Sequence, residues 1–302
     1  MLGPTGSGKS ELAISIALAV RGEIVNCDSL QVYRRFDIGT AKLPESARRG
    51  ITHHLIDVIE PAQLFTAGDY AREARAVLRE IAARGRTPVV VGGTGFYLRA
   101  LLEGLFQGPP RNRELRERLE RREHSRPFSL HRILKRLDPV AASRIHANDK
   151  NKTIRALEVR LLEGKPISEL FLRGRDPLRG FRPIKLGLNP KRELLNQRLD
   201  ARAVHMFNAG LIEEVRDILS SGVSPHAKPF ESLGYQQALK VLDASLTMGQ
   251  AVQSTQLETR QYAKRQVTWF RKELSVHWLD GFGDDPAVQE RALAILQNDF
   301  EF

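Results

Sequence analysis

Cysteine is nearly absent from this sequence, since Cys27 is the single one among 302 residues. A disulfide framework and a cysteine-built zinc site are therefore excluded, and a reducing compartment is favoured. Long apolar runs are also lacking: the longest, Leu12 to Val20, is about half the length needed to span a bilayer and contains Ser15. No charged-then-apolar leader opens the chain. We therefore expect a soluble, cytoplasmic protein with no membrane partner, and nothing in the sequence demands more than a monomer.

Acidic residues are outnumbered by basic ones. The chain contains 47 lysines and arginines against 36 aspartates and glutamates, which gives a formal net charge of +11. Such a surplus suits a polyanionic partner such as nucleic acid, although a solubilising surface explains it equally well. Residues 111–182 contain 20 basic and 10 acidic residues, so nearly the whole surplus lies in this one segment. The charge is therefore a local feature.

Short apolar segments that end in polar or glycine residues predict parallel strands. Ile24 to Cys27 precedes an aspartate and a serine, and Val89 to Val91 precedes a glycine-rich turn. Ile184 to Leu188 predicts a further strand, and helical patterns fill much of the rest, at Tyr70 to Arg84, Arg113 to Glu123, Thr153 to Glu163, Lys191 to Ala209, Leu211 to Ser220 and Gln253 to Lys272. The sequence predicts an α/β core over 1–110 and 183–302, with a helical C-terminal part, and a basic helical insertion over 111–182.

The first residues match the phosphate-binding pattern G-x-x-x-x-G-K-[ST] and lead into a helical apolar pattern. Backbone N–H groups and the helix dipole can then cradle a diphosphate. The lysine of the pattern adds a point charge, and the serine hydroxyl can bind Mg²⁺. A chance glycine-rich turn is the alternative, which the following helix disfavours. The predicted diphosphate-binding residues are Gly3, Pro4, Thr5, Gly6, Ser7, Gly8, Lys9 and Ser10.

Two polar residues follow predicted strands and so lie at the ligand edge of the predicted sheet. Asp28 follows the first of these strands and could bind magnesium indirectly or act as a general base, while an N-cap or turn aspartate explains it equally well. Thr94 brings a hydroxyl to the same edge. The glycines around it would let the backbone approach a ligand closely, although glycines that merely form a turn are the commoner explanation. No acid follows Val91 where an ATPase usually has one, which disfavours an ordinary NTPase.

Three further features have competing interpretations. His53 and His54 are adjacent, so on a strand they face opposite sides, and we interpret them as structural. Trp269 and Phe270 could stack on bases, but packing on the core explains them more simply. A stripe of basic residues with helical spacing could contact phosphates or be a solvated face; it comprises Arg260, Lys264, Arg265 and Arg271.

Several motifs in one order resemble the tRNA dimethylallyltransferase family, also called tRNA isopentenyltransferases. Besides the phosphate-binding loop, the resemblance rests on Asp-Ser-x-Gln-Val-Tyr at 28–33, Asp-Ile-Gly-Thr-Ala-Lys at 37–42, His-His-Leu-Ile-Asp at 53–57 and Val-Gly-Gly-Thr-Gly-Phe-Tyr at 91–97. It continues with Arg-Ala-Leu-Glu at 155–158, Leu-Gly-Tyr at 233–235 and Thr-Arg-Gln-Tyr-Ala-Lys-Arg-Gln-x-Thr-Trp-Phe-Arg at 259–271. The resemblance extends to about Leu279.

The resemblance implies a core like that of the P-loop NTPases, in which dimethylallyl diphosphate binds with Mg²⁺. The dimethylallyl group would pass to the exocyclic N6 amine of an adenosine adjacent to the anticodon of tRNA, and the insertion would grip the anticodon stem-loop. Lys9, Asp28 and Thr94 would be catalytic, with Asp28 taking the amine proton, and Ser10 would bind the metal. The implied tRNA-binding residues are Asp28, Ser29, Leu30, Gln31, Thr94, Arg116, Asn151, Lys152 and Arg155.

This sequence departs from the family pattern at two places. The family normally has an apolar strand before the phosphate-binding loop, where this sequence has Met1 and Leu2. Lys150 and Lys152 stand where relatives often have proline and arginine, which keeps the charge but loses bidentate geometry. Three alternatives stay open: an adenylate prenyltransferase acting on free nucleotides, a P-loop kinase, and a non-catalytic RNA-binding module.

Overall fold

A computed structural model describes residues 1–106, 108–172 and 174–299 of the chain. The chain forms two compact units, one comprising the residues up to Leu101 and those from Gly180 onward, and one comprising Leu102–Arg179. The smaller unit thus begins before the predicted boundary at 111 because its ends are joined: the Leu178 N–H donates to the Leu102 carbonyl at 2.9 Å, and Phe106 and Arg175 form an antiparallel bridge.

Helices outnumber the short strands in the described chain, and they follow one another there without an intervening strand over residues 95–172 and 192–270. Within the described residues the strands are β1 (Gly22–Asn26), β2 (His53–His54), β3 (Thr87–Val91), β4 (Lys185–Leu188) and β5 (Val276–Leu279). The helices are α1 (Lys9–Ala19), α2 (Ala67–Ala83), α3 (Gly95–Leu102), α4 (Arg113–Ser125), α5 (Ser129–Leu137), α6 (Pro139–Arg144), α7 (Lys150–Glu163), α8 (Ile167–Leu172), α9 (Arg192–Asn208), α10 (Leu211–Ser220), α11 (Tyr235–Leu242), α12 (Met248–Phe270) and α13 (Pro286–Asp299), with 3₁₀ turns at Glu45–Ala47 and Lys228–Glu231. None of these helices is long and apolar enough to cross a membrane.

The strands of the larger unit are parallel. They pair in the orders β2-β1-β3 and β4-β5. Met1 and Leu2 join the two groups: the Met1 carbonyl accepts from the Gly92 N–H at 3.4 Å, and the Leu2 N–H donates to the Leu186 carbonyl at 2.9 Å. The phosphate-binding loop therefore starts from the middle of the joined strands. Because the strands are parallel, the segments that follow β1 and β3 leave from the same edge as this loop.

Apolar side chains hold α1 and α13 against the strands. Leu12 and Ile14 of α1, Ile24 of β1 and Val288 of α13 belong to one buried cluster. All five residues of β1 are buried, as expected for a parallel strand covered on both faces. The predicted α/β fold with a parallel sheet is confirmed.

The smaller unit consists of α4 to α8 around an apolar core that includes Leu130, Leu134 and Leu157. Glu158 of α7 lies in this core with no exposed side-chain surface. Its Oε1 accepts from the Asn112 N–H at 2.8 Å. Its Oε2 accepts from the Arg116 guanidinium at 3.2 Å and from that of Arg155 at 2.7 Å. One buried carboxylate thus holds α4, α7 and the segment before α4 together.

We predict that Glu158→Ala destabilises the smaller unit by about 3–5 kcal/mol, because removing one partner of a buried ion pair leaves the others uncompensated. Urea unfolding followed by circular dichroism measures this loss. Glu163→Ala is the matched control, since Glu163 is an exposed glutamate on the same helix. Equal unfolding midpoints for the two variants would contradict the role assigned to Glu158.

Candidate active site

The phosphate-binding loop (Gly3 to Ser10) has backbone geometry that requires glycine. Gly6 and Gly8 have φ of +75° and +82°, in the left-handed region. A Cβ atom at Gly8 would lie 2.7 Å from Oδ1 of Asp284, so there is no space for one. The loop ends where α1 begins, and the first turn of a helix leaves N–H groups without intrahelical partners. These groups and the helix dipole favour an anion at this position.

A cavity of about 290 Å³ lies against the loop. Polar residues from several elements line it, among them Lys9, Ser10, Asn26, Asp28, Gln31, Arg198 and Arg202. The Lys9 ammonium donates to the Pro4 carbonyl at 2.6 Å. Burial lowers the pKa of Lys9 to about 8, with a smaller contribution from Arg202, while Asp28 opposes the shift. Binding an anion here would relieve that cost by favouring the charged amine.

A second cavity of about 480 Å³ adjoins the first. The two cavities share the lining residues Thr5, Lys9, Asp28, Thr40, Gly93 and Arg202. The second cavity continues past Ser29 and Leu30 to residues of α9, α11 and α12. A ligand in each cavity would therefore meet the other at Lys9, Asp28 and Arg202.

Asp28 follows β1 and lies on the wall that both cavities share. Its Oδ1 accepts from the Leu30 N–H at 2.9 Å. This is the hydrogen bond of a turn aspartate, one of the alternatives that the sequence offered for Asp28. The other carboxylate oxygen has no hydrogen bond within the described residues. Asp28 is thus fixed by the turn and still presents an acceptor to the cavities.

Arg202 of α9 is a site residue that the sequence analysis missed. It lines both cavities, and no salt bridge joins it to another residue in the described part of the chain. Burial lowers the pKa of its guanidinium, and Asp28 opposes this effect. An arginine in one long helix carries no signal of its own in the sequence, so only the tertiary structure identifies it.

Gln266 of α12 was also not predicted as a site residue, although it lies within the family motif at 259–271. Its Oε1 accepts from the Thr5 N–H at 2.8 Å, and its Nε2 donates to the Gly93 carbonyl at 2.8 Å. The side chain is 6% exposed. One buried amide therefore connects the phosphate-binding loop to the turn after β3.

Thr94 contacts the segment that follows Asp28 and does not line either cavity within the described residues. Its hydroxyl accepts from the Ser29 N–H at 3.0 Å and lies 3.3 Å from the Ser29 hydroxyl. Gln31, another residue expected to bind tRNA, lines the first cavity, and its side-chain amide donates to the Thr40 carbonyl at 3.1 Å. Thr94 thus orients Ser29, and a direct catalytic role stays a prediction.

The histidines have separate partners, as expected for adjacent residues of a strand. Nδ1 of His53 lies 2.8 Å from the Ile51 carbonyl, and Nε2 of His54 lies 2.7 Å from Glu23 Oε2. His53 also lines the first cavity. Phe270 is 1% exposed, which fits the core interpretation.

The basic stripe of α12 is divided among several surroundings. Arg260 pairs with Asp200 of α9 at 2.5 Å. Arg265 lines the second cavity, while Lys264 is exposed. The stripe is therefore not a uniform solvated face, and its contact with phosphates stays a prediction.

The remaining predicted tRNA-binding residues lie in the smaller unit. Arg116 and Arg155 share the buried carboxylate of Glu158. Asn151 and Lys152 are exposed in the first turn of α7, where Lys152 pairs with Asp149 at 2.6 Å. Two of the four residues are thus partly held by the fold, and their contact with tRNA stays a prediction.

A metal site built only from protein side chains is not found in the described chain, which has no group of three or more histidines, cysteines, aspartates or glutamates in position to bind an ion. Mg²⁺ usually binds one or two protein oxygens together with phosphate oxygens and waters. The Ser10 hydroxyl and the Asp28 carboxylate line the first cavity and are donors of this kind. These residues fit a magnesium ion that arrives with a diphosphate.

Comparison with known proteins adds an independent finding. Residues 31–273 match the family model described as IPP transferase. The chain is 61% identical to the tRNA dimethylallyltransferase of Solibacter usitatus over 96% of this chain and 95% of that protein. It is 55% identical to the tRNA dimethylallyltransferase of Koribacter versatilis over 98% and 97% of the two chains.

Solved structures give the same result. A eukaryotic dimethylallyltransferase acting on tRNA superposes with a TM-score of 0.85 at 30% identity, over 99% of this chain and 78% of that chain. The tRNA isopentenylpyrophosphate transferase from Bacillus halodurans has a TM-score of 0.72 at 33% identity, over 98% and 94%. This chain therefore belongs to the tRNA dimethylallyltransferase, or IPP transferase, family.

Proposed function

We propose that this chain transfers a dimethylallyl group from dimethylallyl diphosphate to the exocyclic N6 amine of an adenosine adjacent to the anticodon of tRNA, with release of diphosphate. The observation that carries the proposal is the position of Lys9, Asp28 and Arg202 on the wall between two adjoining cavities. Two cations and one carboxylate suit a reaction in which an anion departs and a proton is removed at the same point. The family relatives named above act on tRNA or are named for doing so.

The first cavity suits the diphosphate of the donor. Backbone N–H groups at the start of α1, together with Lys9 and Arg202, offer fixed positive charge in a partly buried site. Negative charge develops on the leaving diphosphate as the bond from the allylic carbon to oxygen breaks. Donors that are already in place stabilise this charge without reorganisation, which is usually the largest catalytic contribution.

Asp28 suits the acceptor side of the reaction. The adenine amine is a poor nucleophile because its lone pair is delocalised into the ring. As the nitrogen forms its bond to the allylic carbon, one N–H proton must leave, and the carboxylate of Asp28, which lines the second cavity, would accept it. The products are the alkylated amine, the protonated carboxyl and free diphosphate, so atoms and charge balance.

The second cavity suits the adenosine. Ser29 and Leu30 line it, and Thr94 orients the Ser29 backbone through a hydrogen bond. Extruding a base from an anticodon loop costs a few kcal/mol. Contacts between phosphates and the basic residues of 111–182 are suited to offset this cost, including those of Arg116, Lys152 and Arg155.

Magnesium is proposed as the cofactor, which the Ser10 hydroxyl would hold together with diphosphate oxygens, and it would neutralise negative charge on the leaving group. Without magnesium, we expect diphosphate to bind at Lys9 and Arg202 more weakly than with it. The prediction that the protein acts as a monomer also stays open.

We expect purified protein to transfer label from radiolabelled dimethylallyl diphosphate to unmodified tRNA in the presence of Mg²⁺. Asp28→Asn should lower the turnover rate about 10²–10⁴-fold, because general-base catalysis contributes that much. Lys9→Ala should lower it about 10²–10³-fold, because a fixed stabiliser of the leaving anion is lost.

Asp217→Asn, an exposed aspartate of α10, is the matched control and should retain activity. Two further reactions test the alternative functions. In one, AMP replaces tRNA as the acceptor, and in the other, consumption of ATP is measured. Label in AMP alone would support the free-nucleotide alternative, and phosphoryl transfer from ATP would support a kinase. Near wild-type turnover by Asp28→Asn would contradict general-base catalysis by Asp28.

The pKa of Lys9 predicts a pH effect on donor capture. Burial lowers the pKa of the amine to about 8 in the free protein, so the charged form is lost as pH rises through that value. We expect kcat/KM for dimethylallyl diphosphate to fall above pH 8, by about tenfold for each further pH unit if a single group is responsible. Lys9→Arg keeps its charge to higher pH, and its profile should stay flat in this range. A parallel fall in both proteins would exclude titration of Lys9 as the cause.

A further inference from the structure

A loop near the end of the chain contacts the phosphate-binding loop. This segment, residues 281–285, is called the C-terminal loop below. Its Gly283 N–H donates to the Ser7 carbonyl at 2.9 Å. A Cβ atom at Gly283 would lie 2.3 Å from the Gly8 carbonyl oxygen, and one at Gly8 would lie 2.7 Å from Asp284 Oδ1. The carboxylate of Asp284 therefore lies beside Gly8, the residue that precedes α1.

Arg198 of α9 connects this carboxylate to the first cavity. Its Nη1 donates to Asp284 Oδ1 at 2.8 Å and its Nη2 to Oδ2 at 3.0 Å, which is a bidentate pair. Its guanidinium carbon lies 3.9 Å from the centre of the Phe282 ring. Arg198 also lines the first cavity, one helical turn from Arg202.

Stability alone explains this arrangement poorly. The side chains of Arg198 and Asp284 are 39% and 42% exposed, and exposed pairs typically contribute about 0–1 kcal/mol. The carboxylate and the aromatic ring nevertheless fix the guanidinium from two directions. A guanidinium has five N–H donors, and the pair uses two of them, so donors remain for a second acceptor.

We infer that Arg198 binds the diphosphate in the first cavity and that Asp284 is the residue that positions it. This inference rests on the proposed function, because it takes the donor's diphosphate as the occupant of that cavity. Arginine suits the task because its planar donors match phosphate oxygens. Asp284 sets the plane of the guanidinium before the ligand arrives, and Arg198 neutralises a carboxylate that would otherwise repel the diphosphate.

The test is a double-mutant cycle read by calorimetric binding of inorganic diphosphate in the presence of Mg²⁺. Asp284→Asn should weaken binding about three- to tenfold, and Arg198→Ala about tenfold or more, since each 1.4 kcal/mol is a factor of ten. In the Arg198→Ala background, Asp284→Asn should strengthen binding, because it removes an unpaired carboxylate next to the ligand. This reversal of sign identifies positioning through Arg198.

Asp200→Asn is the matched control, because Asp200 lies on α9 as Arg198 does and pairs with Arg260 of α12. Neither Asp200 nor Arg260 lines either cavity within the described chain. This substitution should leave diphosphate binding unchanged. If Asp284 only anchors the C-terminal loop, Asp284→Asn will weaken binding by the same factor in both backgrounds, and the inference is overturned. Equal binding by the wild type and Asp284→Asn also overturns it.

Transfer of label to tRNA is measured on the same proteins. Wild-type transfer with unaffected diphosphate binding in Arg198→Ala would reject the inference while the proposed function stands. Absence of wild-type transfer, with the binding pattern described above, would reject the proposed function while the diphosphate site stands. The two failures are therefore distinguishable.

Discussion

Parallel strand pairing is the constraint on which the site depends. The pairing of β1 with β3, and the hydrogen bonds of Met1 and Leu2 to their neighbours, set the direction of three chain segments. The phosphate-binding loop, the Asp28 segment and the Gly93 turn all leave from the same edge. Gln266 then ties the loop to that turn through one buried amide. Residues distant in the sequence thereby line one wall.

Electrostatics explains why this wall is suited to an anion. Lys9 and Arg202 both have lowered pKa values because they are buried, and Asp28 compensates only partly. The negative charge of a diphosphate would favour the charged forms of Lys9 and Arg202, which burial disfavours. Asp28, the residue proposed to accept the amine proton, lies on the same wall as these two cations. Donor binding and proton acceptance are therefore physically connected.

The smaller unit uses charge differently. Glu158 takes the guanidinium groups of Arg116 and Arg155 into a buried network, so these two arginines stabilise their own helices while remaining partly exposed. Held in this way, an arginine loses less conformational entropy when it meets a phosphate. A basic segment can thus be both a folded unit and a surface with defined donor positions.

The sequence by itself determined the local features of this protein. Glycine and lysine spacing identified the phosphate-binding loop, and apolar runs and helical periodicity identified β1, β3, α7 and α10, because these signals depend on near neighbours in the chain. The resemblance added the roles expected of Asp28 and Thr94, which local patterns left open. Only the tertiary structure decided that Arg202 lines both cavities, that Gln266 lines the second, and that Arg198, paired with Asp284, lines the first. In the sequence, the spacing of Arg198, Arg202 and Gln266 along their helices would equally fit a solvated face. Packing alone determines which side chains of α9 and α12 face the cavities.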